Sequence, residues 1–78
     1  MVLTEELVEE INLLSLFNLE TLQEGIKVHA DAGPHVVAAA RRLHDKGIIS
    51  QADGGYLTDL GIEVAEHAQR MLTILTSR

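Results

Sequence analysis

The sequence predicts a mostly helical α+β domain, with four helices and a small antiparallel hairpin, and three observations carry that expectation. The run Pro34 to Lys46 sets Val36, Val37, Ala39, Ala40 and Leu43 on one side of a 3.6-residue wheel, as an amphipathic helix does. Gly47 follows that run, Ile48-Ile49 opens a strand, and Asp53-Gly54-Gly55 supplies the positive φ angles that a tight hairpin turn needs. Tyr56-Leu57 is the return strand, and Thr58 caps a new helix. Helix, two-stranded ribbon and helix in direct succession are the layout of a winged helix-turn-helix.

The other elements follow from local chemistry. Thr4 is a good N-cap, and Glu5 and Glu6 lie in the first turn, where the helix dipole favours acids. Leu7, Ile11 and Leu14, joined by Leu3 and Val8, make the buried stripe of this first helix, to about Ser15. Asn18 is placed to cap a short second helix, Leu19 to Glu24, with Gly25 as its left-handed stop. Ile26-Lys27-Val28-His29 alternates as a short strand does. Gly33-Pro34 opens the third helix, with proline at the first helical position, where its missing N–H costs nothing.

The fourth helix, about residues 59–76, carries more apolar surface than a chain of 8.5 kDa can hide. Leu60, Val64, Ala65, Ala68, Met71, Leu72, Ile74 and Leu75 fill an arc of roughly 180°, wider than the ~100° stripe of a helix with one partner. A second copy of the chain is the natural cover, with Met71, Leu72, Ile74 and Leu75 at a homodimer interface. No repeat or linker divides the sequence, so residues 1–78 read as one winged-helix domain with the fourth helix as its dimerisation element.

Composition narrows the function classes. The chain has no cysteine, which excludes disulfides and cysteine-based zinc sites and fits a reducing cytosol. Its start is acidic where a signal peptide would be basic, and no apolar run reaches membrane-spanning length, so a cytoplasmic protein is expected. Net charge is −6, but it is unevenly spread. Residues 1–25 hold six acids and no base, whereas residues 26–46 hold Lys27, Arg41, Arg42 and Lys46 against Asp31 and Asp45. The one basic patch falls on the third helix.

The runs A-A-A-R-R-L-H-D-K-G-I-I and D-G-G-Y-L-T-D-L-G-I-E resemble the recognition helix and wing of winged-helix bacterial regulators of the multiple-antibiotic-resistance and phenolic-acid-repressor types. Those regulators carry Leu-x-x-x-Gly-Leu/Ile-Ile at the end of the recognition helix and Leu-Thr-x-x-Gly after the wing. The resemblance covers about residues 34–65. The whole chain is also similar to a small family of uncharacterised bacterial proteins. What the resemblance implies is a DNA-binding transcriptional regulator acting as a homodimer on double-stranded DNA, with His35, Arg41, Arg42, Lys46 and Lys27 as its contacts. Two features depart from that pattern. Gly25 to Gly33 separates the two helices of the motif, where three or four residues are usual. The wing, Ser50 to Gly55, carries an acid and no base.

The competing reading is a winged-helix protein–protein interaction adaptor without DNA binding. The acidic helix Glu5, Glu6, Glu9, Glu10 suits a basic protein partner, and bases in the last turns of a helix complement its negative end without any ligand. DNA-reading helices present their N-terminal residues to the groove, and here those are His35, Val36, Ala38 and Ala39. His29, His35, His44 and His67 do not have the spacing of a metal site, and no cofactor motif is present. His67 falls on the apolar arc of the fourth helix, where a packed or dimer-facing role is expected. Nothing in the chain suggests a nucleophile or a phosphate loop, so no enzyme is expected.

Overall fold

A computed structural model describes residues 3–21 and 23–77. Its elements are α1 (Glu5–Leu14), β1 (Ile26–Lys27), a single 3₁₀ turn (Ala30–Ala32), α2 (Pro34–Asp45), β2 (Ile49–Gln51), β3 (Gly54–Leu57) and α3 (Asp59–Thr76). The three strands form one antiparallel sheet in the order β1-β3-β2. The α+β class stands, with three α-helices among the described residues.

The expected second helix, Leu19 to Glu24, does not form among the described residues; Leu22 lies outside them. Asn18 uses its Oδ1 to accept a hydrogen bond from the Glu20 amide at 2.9 Å, two residues on, which closes a local turn. So short a segment also gives too few internal hydrogen bonds to repay helix nucleation. The helical turn appears instead after β1, at Ala30–Ala32. Gly25 is not left-handed either. Its role is close approach, because a Cβ there would lie 2.5 Å from the Gly55 carbonyl oxygen.

The core joins Leu13, Leu14 and Phe17 within and after α1, Val28 beyond β1, Ala39, Ala40 and Leu43 of α2, Ile48, Ile49 and Ala65. Ala39 and Ala40 are wholly enclosed, and their small side chains let α1 lie close along α2. The buried side of α1 is rotated from the expected one. Glu10, Leu13 and Leu14 face inward, while Leu3 and Val8 are exposed. Val36 also faces solvent at the start of α2, so the buried arc there is narrower than the wheel suggests. α3 rests mainly on α1 and β3. Gln69 ties it down by donating to the carbonyls of Phe17 (2.7 Å) and Leu14 (3.2 Å).

The junction of α2, sheet and α3 gives physical meaning to the Gly47 and Leu-Thr-x-x-Gly signals. Gly47 takes φ 78°, its amide bonds the His44 carbonyl (3.0 Å), and the Ile48 amide bonds the Leu43 carbonyl (2.9 Å). This is a Schellman stop, flanked by the buried side chains of Leu43 and Ile48. Thr58 then accepts from the Gly61 amide at 3.0 Å as the N-cap of α3 and donates to the Gly47 carbonyl at 2.5 Å. Gly61 lies so close to the Ile48 carbonyl that no Cβ fits between them. The hairpin turns one residue earlier than expected. Gln51 pairs with Gly54, the turn is Ala52-Asp53, and Gly55 (φ 76°) bulges opposite Ser50.

Candidate functional site

The five residues expected to meet DNA divide over two faces of the molecule. Helix α2 turns Arg42 toward α1, where it is part-buried. Its Nε donates to Glu10 Oε2 at 2.9 Å and its Nη2 to the Glu6 carbonyl at 3.2 Å. Glu6 and Glu9 carboxylates stand 3.5 and 3.6 Å from the same guanidinium. Lys46, one turn along, donates to the other oxygen of Glu10. His35 Nδ1 lies 3.1 Å from Glu9 Oε2. A row of acids on α1 therefore meets a row of bases on α2, with Glu6 and Glu10, and likewise Arg42 and Lys46, at helical i,i+4 spacing.

Glu10 is the centre of this arrangement, with 4% of its surface exposed. Burial pushes its carboxyl pKa up, but hydrogen bonds and charge from Lys46 and Arg42 outweigh that and hold it below the usual carboxylate range. The Glu10 hydrogen bond in turn raises Arg42. Both oxygens of Glu10 are occupied, so the cluster is satisfied within the chain. Chemically it is a cross-helix clamp. Both charge rows are visible in the sequence, but not that they face each other; the shared spacing of Glu6 and Glu10 with Arg42 and Lys46 is the available signal.

Arg41 points the other way. It is exposed and, among the described residues, makes no ion pair. With Lys27, His29, Asp53, Val37 and Ala52 it lines an open cleft of about 350 Å³ between α2 and the hairpin turn. Lys27 there is already bonded to Asp53, and that hydrogen bond holds the Asp53 carboxyl low. Hairpin-turn acid and strand base thus meet each other.

The exposed face of α3 is the other distinctive surface. Leu60 is 49%, Met71 41%, Ile74 60% and Leu75 72% exposed, while Leu72 is half-buried. His67 is exposed in the single chain, not packed. Among the described residues no three His, Asp or Glu side chains group as a metal site requires, and no helix is long and apolar enough to cross a membrane.

Residues 1–76 match the model of a family of unknown function (DUF5669), and the chain belongs to that family. No curated protein and no solved structure matches it.

Proposed function

We propose that this chain is a winged-helix domain that serves as a protein–protein interaction module, working as a homodimer and not as a reader of duplex DNA. The winged-helix part is supported by element order and sheet order. Helix, strand, helical turn, helix and hairpin follow one another, with β1 beside β3. In this reading α2 takes the place of a recognition helix, and the helix before it is reduced to the turn Ala30–Ala32.

One observation carries the functional choice: Arg42 and Lys46, the strongest candidates for phosphate contact, converge on the buried Glu10. DNA affinity rests on cations that displace counterions from phosphates, and a cation bonded to an internal carboxylate contributes little. Opposite the buried Ala39, Ala40 and Leu43, the outward arc of α2 offers Ala38, Arg41 and Asp45, a poor set for reading bases. The homodimer is supported by the apolar face of α3, a patch that a monomer would leave in water.

A second reading, the DNA-binding transcriptional regulator, is favoured by the cleft in which Arg41, Lys27 and His29 meet. A duplex titration at low and at physiological salt separates the two. The interaction module shows no salt-sensitive binding even at low salt. Salt-steep binding abolished by Arg41→Glu would establish the regulator reading and overturn ours.

A further inference from the structure

We infer that α3 pairs antiparallel with α3 of a second copy of this chain, setting Glu63 of each copy against Arg70 of the other. The inference deepens the homodimer proposed above and rests on it. Three features of α3 lead to it.

The first is exposure. From Thr73 to Ser77 every residue is exposed, and Ile74 and Leu75 are the most exposed apolar residues of the helix. The second is spacing. Leu60, Val64, His67, Met71 and Ile74 fall four, three, four and three residues apart, the rhythm of a seam between two helices. Val64 is half-buried and the other four are exposed, so this seam runs along the flank of the body, open to a partner.

Charge is the third feature, and it selects the direction. Glu63 and Arg70 lie seven residues apart on the outer margin of the seam, both exposed, and neither makes an ion pair among the described residues. Asp59, Glu63 and Glu66 crowd the first half of α3, and Arg70 is the one Arg or Lys in it. A parallel pair would put the two Glu63 on opposite flanks of the seam, and the two Arg70 likewise, so neither would meet an opposite charge. An antiparallel pair turning about a point beside His67 sets Glu63 against Arg70 twice, and Leu60 against Ile74, each to within about one residue rise of 1.5 Å. The two helix dipoles then oppose each other favourably as well.

The test is a charge swap read by sedimentation equilibrium and native mass spectrometry, using Glu63→Arg, Arg70→Glu, the double variant and an equimolar mixture of the two singles. Each single variant should weaken the dimer about tenfold, since it places like charges together at both contacts. The double variant should recover wild-type affinity. The mixture should form heterodimers well above the statistical share, because the two bases of the Glu63→Arg chain then face the two acids of the Arg70→Glu chain. Circular dichroism confirms that each exposed substitution leaves the fold intact. Single variants that dimerise as tightly as wild type, with a statistical mixture, overturn the antiparallel register but leave the homodimer standing. A wild-type chain that is monomeric at high micromolar concentration overturns both.

Discussion

Glu10 is a carboxylate placed where two helices press together, and its tolerance there depends on Arg42 and Lys46 reaching it from the neighbouring helix. Glu10→Ala removes the shared acceptor and leaves two cations side by side. Hydrogen bonds to charged groups contribute about 1.5–3 kcal/mol, and both bases can turn outward to water, so a loss of about 2 kcal/mol is expected in urea unfolding. Wild-type stability would have to survive that substitution unchanged for the clamp to be incidental. A pH effect follows with a definite sign. The folded chain holds Glu10 ionised at lower pH than the unfolded chain does, so on the acid side the unfolded chain binds more protons. Stability from this group is full above the ordinary glutamate pKa and drains away as pH falls below about 5. Glu10→Gln should therefore flatten the acid limb of a Tm-versus-pH profile. An acid limb as steep in the variant as in wild type would assign the loss to other carboxylates, Asp53 first among them.

At the scale of elements, what is legible in the sequence is what local chemistry decides. Thr4, Pro34 and Thr58 mark helix starts, Gly47 marks a stop, and each does so in the structure by the bond or the φ expected of it. What is not legible depends on partners far along the chain. The inward turn of Glu10 comes from bases more than thirty residues away, and no local pattern of α1 announces it. Residues 19–24 look helical by composition, yet an Asx turn at Asn18 and the shortness of the segment win. The basic patch of α2 is real, but half of it faces inward, because a helical wheel does not say which neighbour lies beside it. The Leu57-Thr58-x-x-Gly61 segment shows the opposite case, a local motif with a long-range duty. Thr58→Ala loses both the cap of α3 and the tether to the Gly47 carbonyl, and should cost about 1–2 kcal/mol. Gly61→Ala drives a methyl into the Ile48 carbonyl, with about 1–3 kcal/mol lost to strain. Both are measured by chemical denaturation. A neutral Gly61→Ala would mean that α3 can slide away from β2 without cost.

For the molecule as a whole, the distribution of charge and apolar surface matters more than the total of −6. Arg42 and Lys46 offset part of the acid row of α1 across the helix interface, and Lys27 and Asp53 pair at the hairpin. An unanswered surface is then the apolar flank of α3. A domain of 78 residues has a small core, and burying Met71, Ile74 and Leu75 against a second chain would add to it what the monomer lacks. Linkage makes this measurable, since a state stabilised by association gains stability with concentration. The Tm of the wild-type chain should rise by several degrees over a hundredfold increase in protein concentration. Ile74→Asp/Leu75→Asp should lower Tm at high concentration and remove the dependence. At low concentration it should leave Tm nearly unchanged, because both side chains are mostly exposed in the single chain. A wild-type Tm indifferent to concentration, in a chain whose sedimentation stays monomeric, would leave the α3 face open for a different protein partner. The module would then associate with something other than itself.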